Sequence, residues 1–166
     1  MSWHKISPCD ERAFNLYCRH YSKSSSYKNS RKTNVRTRKI TGPGQSIVLL
    51  TEDEKALFVW HYNSVKRWDK QTGVNCSIFR NESKYLSSFL ILEAEKWVLE
   101  KWPECERLFT YVDSGKIKSE NPGFCFKKAG WKPCGISKVN KLHILEKAVL
   151  ALDRAVNETE GICQKT

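Results

Sequence analysis

"LSSFLILEAEKWVLEKWP", residues 86–103, is the stretch around which the rest of the chain is read. Leu86, Leu90, Ala94, Trp97 and Val98 fall along one stripe, while Glu93, Lys96 and Glu100 lie elsewhere, which is the period of an amphipathic helix. Pro103 ends it, because its ring excludes a further helical turn. On both sides the pattern changes to β-branched and aromatic runs, "GVNCSIFR" (73–80) before the helix and "RLFTYV" (107–112) after it. A strand–long helix–strand unit over 74–113 predicts a parallel pair joined by a right-handed crossover.

Working outward, residues 3–7 read as a first strand. "PCDERAFNLYCRHYS" (8–22) reads as a helix capped by Asp10, with Phe14, Tyr17, Cys18 and Tyr21 on one face. "QSIVLLTEDEKALFVWHYN" (45–63) is two strand-like runs about an acidic turn, a hairpin. "SENPGFCFKKAGWKPCG" (119–135) holds a short helix, with Asn121 placed to cap it, Pro122 at its first position and Gly130 able to adopt the left-handed conformation that ends it. "WKPCG" and "KLHILEK" are two last strands about a turn, and the residues from 147 onward can continue as an amphipathic helix. The predicted fold is α/β (mixed α+β), one domain over 1–166 with a central mixed sheet and helices on both faces, a basic arm at 23–39 and a helical tail at 147–166.

With 40% hydrophobic and 28% charged residues the composition is that of a globular protein. No apolar run approaches the roughly 18 residues that suggest a membrane span, and the first residues lack the apolar core of a signal peptide. Seven cysteines, none in a CxxC pair, suggest reduced thiols rather than a disulfide framework or a structural zinc site. Together these features predict a cytoplasmic protein. The formal charge of +11 is unevenly placed: between Arg12 and Thr51 there is no acidic residue, while residues 23–39 carry seven basic ones. Lys28, Arg31, Lys32, Arg36, Arg38 and Lys39 are candidates to track a nucleic-acid backbone, where counterion release favours binding. The alternative is a solvated arm with no partner. Tyr21 and Tyr27 lie close enough in sequence to stack on bases.

A mixed sheet whose central parallel pair is joined by a long helix, followed by a short helix ending on Gly-aromatic, resembles the GNAT-type acyl-CoA N-acyltransferases. Their final helix commonly reads Asn, small residues, an aromatic, two polar residues, an apolar one and Gly-Phe; here it reads "NPGFCFKKAGW" (121–131). A narrower set, "HYS" (20–22), "GPG" (42–44), "FRNE" and "LSS" (79–88), "YVD" (111–113) and "NPGFCFKKAGW", is similar to the phage Mom-like proteins, GNAT-fold enzymes that modify the exocyclic amine of adenine in DNA. The resemblance implies an acyl-CoA donor, DNA as partner and, for a phage-encoded protein, the bacterial cytoplasm. It also implies that the donor's pyrophosphate rests at the start of the long helix, where unpaired N–H groups and the helix dipole favour anions.

That turn, "NESKYLSS" (81–88), lacks the superfamily's glycines, so Lys84, Ser87 and Ser88 are the expected donor-binding residues, joined by Asn121 and Phe124; Ser87 and Ser88 can equally serve as ordinary caps. Arg80 and Asp113 stand at the carboxyl ends of the expected parallel strands, where open sheets bind ligands. Arg80 is expected to hold a phosphate or carbonyl and Asp113 to accept a proton, or the two pair to fix the loops. The Mom-like resemblance adds His20 and Tyr21 to the same site. Many GNAT enzymes protonate the departing thiolate with a tyrosine of the short helix; this chain has Phe124 and Phe126 there, leaving Tyr111 as the nearest hydroxyl by sequence. His61 and His143 read as structural. No metal-ligand spacing is present, which leaves a metal open. Two other readings remain: the same fold acting on a small amine, a tRNA or a protein, and a non-catalytic nucleic-acid-binding domain.

Overall fold

The computed structural model describes residues 2–21, 39–63, 67 and 69–149. The basic arm, apart from Lys39, and the tail beyond Val149 lie outside the described residues. The elements run β1 (Trp3–Ile6), α1 (Glu11–Cys18), β2 (Gln45–Thr51), β3 (Ala56–Tyr62), β4 (Val74–Asn81), α2 (Ser87–Lys101), β5 (Arg107–Val112), α3 (Phe124–Lys128), β6 (Lys132–Ile136) and β7 (His143–Ala148). This is the element order predicted from sequence. One seven-stranded sheet has the order β1-β2-β3-β4-β5-β7-β6. Among the described residues only β4 and β5 pair in parallel; the other neighbours are antiparallel.

Alternation along the strands makes two cores. Ile47, Leu49, Phe58, Trp60, Val74, Cys76 and Leu108 face α2 and α3, meeting Leu90, Ile91, Ala94 and Val98 of α2 and Phe126 of α3. Val48, Leu50, Leu57, Val59 and Ile78 face α1 and meet Ala13 and Leu16. The face of α1 that packs is therefore not the predicted one. Ala13 and Leu16 are its buried residues, and Phe14 and Tyr17 pack only partly buried beside them. The stripe of α2 is as predicted at Leu90, Ala94 and Val98, but Leu86 is 76% exposed at the helix start.

Within the first core, α2 contributes one charged residue. Glu95 receives Lys147 Nζ at 2.7 Å and Trp131 Nε1 at 2.6 Å, and Lys147 also donates to the Ala129 carbonyl at 2.9 Å. This bond set holds Lys147 in β7. The residues at 147 and 148 are strand, not the predicted helical tail, and Ala148 pairs with Arg107.

The entry to α3 also differs from the reading of Asn121 and Pro122. Gly123 occupies the N-cap position at φ 71°, and the Asn121 carbonyl accepts the Phe124 N–H in the turn before it. Gly130 does adopt the left-handed conformation, at φ 87°. A Cβ on Gly123 would sit 2.8 Å from Leu145 Cδ1. Gly123→Ala therefore combines a left-handed backbone penalty with crowding of the core and is expected to cost about 2–4 kcal/mol. Chemical denaturation checks this, with Gly42→Ala, which has open space around it, as the silent control.

Candidate active site

The sheet is not continuous across its centre. β4 and β5 pair only at Val74–Leu108, Asn75–Phe109 and Cys76–Thr110. Beyond that point β4 stays with β3 as far as Asn81, and β5 stays with β7 as far as Val112. The register of β3 against β4 slips between Val59–Ile78 and Trp60–Cys76, which leaves Ser77 as an extra residue in β4. A bulge bends its strand and increases local twist, and the separation from β5 begins there. The Thr110 hydroxyl, donating to the Cys76 carbonyl at 2.9 Å, is the last tie before the two strands part.

Parting strands expose backbone groups that must find partners. His20 and Tyr21, directly after α1, lie at this opening. His20 lies by the Phe79 backbone on β4, and Tyr21 by the Asp113 backbone at the end of β5. The two rings stack with centroids 4.4 Å apart. The dipeptide therefore spans the gap from one strand to the other.

Burial, with a smaller contribution from the Arg80 charge, lowers the His20 pKa to about 4. The unfolded chain binds this proton near 6.5 and the folded one only near 4, so His20 contributes stability that is complete above 6.5 and is lost as pH falls through that window. The expected loss by pH 4 is about 3 kcal/mol. Urea midpoints measured from pH 7.5 to pH 4.5 check it, and His20→Gln should flatten the slope above pH 5. Burial raises the Tyr21 pKa, against the opposing Asp113 backbone bond, so its phenol stays protonated at neutral pH.

A cavity of about 490 Å³ opens on the α1 side of this gap, lined by residues that include His20, Tyr21, Asn75, Tyr111, Asp113 and Lys116. Asp113 lies in it with its carboxylate accepting the Gly115 N–H at 3.0 Å and Lys116 Nζ at 3.5 Å. The structure thus brings His20, Tyr21 and Asp113 to one cavity. Arg80 does not line this cavity. Its Nε donates to Glu82 at 2.5 Å and its guanidinium reaches the Arg19 carbonyl, while Arg19 holds the same carboxylate at 2.8 Å. The bulge reverses side-chain parity, turning Phe79 to the α2 face and Arg80 to the α1 face, where Glu82 and the Arg19 carbonyl take its guanidinium. The Arg80–Asp113 pair is replaced by an Arg80–Glu82–Arg19 cluster, and these two guanidinium groups hold the Glu82 carboxyl down to about 2. Tyr111 is likewise committed elsewhere, donating to Asp69 at 2.6 Å beside Arg67.

At the other side of the gap, α2 begins at Leu86, which provides no side-chain cap. The first helical bond is Leu90 N–H to the Leu86 carbonyl, so the N–H groups of Ser87, Ser88 and Phe89 precede the helical ladder. The loop before it folds around Asn81. The Asn81 amide oxygen accepts from the Ser83 N–H and hydroxyl, and its nitrogen donates to the Tyr85 carbonyl at 2.7 Å and to Ser87 Oγ at 3.0 Å. This side chain organises a loop that needs no positive-φ residue, which explains how it forms without glycine. Ser87 accepts from Asn81 and keeps its own hydroxyl proton to donate; Ser88 lies beside it in the first turn. Lys84 is exposed beside the Tyr85 ring.

Asn121 and Phe124 are exposed at α3. Asn121 receives Lys127 Nζ at 2.5 Å, and the Phe124 ring, 51% exposed, lies beneath Lys128. Phe126 is core, packed edge-on to Phe79 and Trp131. His61 meets the Pro43 carbonyl at 2.7 Å, a structural contact, and His143 sits half-buried in β7 opposite Val112. Of the basic candidates, Lys39 alone is described, and it is exposed; Lys28, Arg31, Lys32, Arg36 and Arg38 lie outside the described residues. Among the described residues no cluster of His, Cys, Asp or Glu side chains forms a metal site, and no helix is long and apolar enough to cross a membrane. Sequence reasoning missed Asn75; the signal was an amide in a strand otherwise reading as core.

No protein-family model matches the sequence, and no curated protein matches it. Solved structures do. They include aminoglycoside acetyltransferase AAC(6')-Ib in complex with coenzyme A, at 10% identity over 92% of this chain and 97% of that one, with a TM-score of 0.59. A spermidine N-acetyltransferase SpeG chimera from Vibrio cholerae and hSSAT matches at 11% identity over 91% and 96%, with a TM-score of 0.59. An acetyltransferase from Thermus thermophilus matches at 12% identity over 89% and 97%, with a TM-score of 0.51. At these identities the likeness is one of fold: the chain has the GNAT acetyltransferase fold.

Proposed function

We propose that this GNAT-fold chain is an acyl-CoA-dependent N-acyltransferase-type enzyme acting on an amine carried by nucleic acid, the exocyclic amine of adenine in DNA being the acceptor the sequence resemblance implies. The observation that carries the acyl-CoA part is the central gap: β4 and β5 part after Cys76 and Thr110 beside an uncapped helix start. The residues there fit the donor. The N–H groups of the first turn of α2, with the Ser87 and Ser88 hydroxyls, suit a pyrophosphate, and Lys84 adds a positive charge on a flexible stem. Bound acyl-CoA would supply an activated thioester carbonyl. Solved neighbours of the fold include a coenzyme A complex.

Within the chain, Tyr21 holds a proton on its phenol at the gap, beside the Asp113 backbone. It is the hydroxyl available to a departing thiolate where α3 has only Phe124 and Phe126. Asp113 is the carboxylate that can take the acceptor's proton, a need made acute by a nucleobase amine, whose lone pair is conjugated with its ring. A base in duplex DNA would also have to leave the stack, at a few kcal/mol.

Charge favours a polyanionic carrier over polycations such as those named for the solved neighbours. Asp113 is the one carboxylate lining the described cavity, it has Lys116 beside it, and the chain carries +11. The second reading is a small amine of low charge, favoured by the modest volume of the cavity. Mass spectrometry of nucleosides from DNA of cells producing the protein tests the first reading, with calorimetric titration of acetyl-CoA alongside. A new adenine species that disappears in Asp113→Ala is the expected result. Acetyl-CoA binding with unmodified DNA would transfer support to the small amine, and absence of acetyl-CoA binding would remove both.

A further inference from the structure

Asn75 is 8% exposed on β4, and its amide oxygen is buried with no hydrogen-bond donor. It lines the same cavity as Tyr21, Tyr111 and Asp113. Two of these neighbours have protein partners of their own: Tyr111 the Asp69 carboxylate, and Asp113 Lys116 with the Gly115 N–H. The residues opposite Asn75 in the sheet do not satisfy it, since Phe109 has no polar side-chain atom and the His61 ring bonds Pro43. Buried polar atoms are rarely left unpaired, and each exception asks for an explanation. A leucine or valine here would extend the core at no polar cost, so the amide is a poor choice for stability alone.

We infer that Asn75 reads the acceptor, and that the group it reads is a heteroaromatic amine with a ring nitrogen beside it. This rests on the acyltransfer reading above and names the chemistry of its acceptor pocket. A carboxamide presents an acceptor and a donor side by side. Its complement is a donor beside an acceptor, the amino group and adjacent ring nitrogen of adenine or cytosine, and asparagine makes such a bidentate pair with adenine. The terminal torsion of asparagine is broad, so a small rotation brings either end of the amide to the cavity. An alkylammonium offers donors only and leaves the amide nitrogen unmatched. The rings of Tyr21 and Tyr111 on the cavity wall suit a flat ligand.

The test uses the full chain and labelled oligothymidines with one central adenine, cytosine or purine, the last lacking the exocyclic amine. Backbone contacts are common to all three probes. The wild type is expected to bind the adenine or the cytosine probe about tenfold or more tighter than the purine probe, and whichever wins identifies the base. Asn75→Leu should abolish that preference while leaving the melting temperature equal or higher and acetyl-CoA affinity unchanged. Asn75→Asp, which keeps the size and loses the donor, should also lose the preference. A wild type that binds the three probes alike, or a preference that survives both substitutions, overturns the inference. So does a leucine variant that is markedly less stable, because Asn75 would then be a structural residue. Failure of acetyl-CoA to bind bears on the acyltransfer reading instead and leaves the base preference to be read by itself.

Discussion

Lys147→Met is expected to lower the unfolding free energy by about 3–5 kcal/mol, the cost of leaving one member of a buried ion pair without its partner. The two side chains are 7% and 1% exposed and meet at 2.7 Å. Burial raises the Glu95 pKa, and the Lys147 charge opposes that rise. Once the lysine is gone the carboxyl retains only Trp131, so its folded pKa climbs further above its unfolded value. The sign follows: the folded carboxyl holds a proton that the unfolded chain releases, so the variant loses stability as pH rises and regains part of it in acid. Replacing both charges, Glu95→Gln with Lys147→Met, keeps an acceptor for the indole and should recover most of the loss. Urea denaturation of the single and double variants at pH 5 and pH 8 reads all of this. A single variant as stable as wild type at pH 8 would mean the pair is not buried as described.

Tyr21→Phe is expected to reduce turnover by about 100-fold, the lower end of what a positioned general acid contributes. The substitution keeps the ring that stacks on His20 and removes only the phenolic oxygen. Acetyl-CoA affinity should be unchanged, because the first turn of α2 is untouched. The thiol released from acetyl-CoA in the presence of single-stranded DNA is the measurement, taken across pH. Phe124→Tyr supplies the complementary experiment: its ring lies exposed beneath Lys128, so a hydroxyl there should leave turnover unchanged. A Tyr21→Phe enzyme with normal turnover would return the proton to water or to another residue.

The long helix, its flanking strands and the final hairpin are legible because each has a clean period and a clear stop, as at Pro103 and Gly130. The differences have specific causes. On α1, bulk suggests burial, whereas Ala13 packs under the helix and Phe14 remains at the margin. At α3, Asn121 and Pro122 fit the preferences of a cap, yet the chain turns once more and Gly123 takes that position under Leu145. At the site, the rule that ligands meet strand ends puts Asp113 on the cavity wall. It does not do so for Arg80, whose guanidinium is taken by Glu82 and the Arg19 carbonyl, and nothing in "NCSIFR" announces the extra residue at Ser77 that turns it to their face. His20 and Tyr21 enter by resemblance alone; that they sit between two parting strands is visible only in three dimensions. Asn75 reads as a strand residue until its oxygen is found without a partner.

The sheet can be regarded as two panels, four strands and three, sharing a seam of three residue pairs and one threonine hydroxyl. A wedge at the open end of such a seam sets the angle between the panels, and His20–Tyr21 is a clasp across that opening. Two residues further along the chain is Lys23, where the basic stretch of 23–39 begins. A change in the angle between the panels would widen or narrow the gap proposed for the thioester, so the donor's fit would depend on two rings that lie outside the helix it rests on.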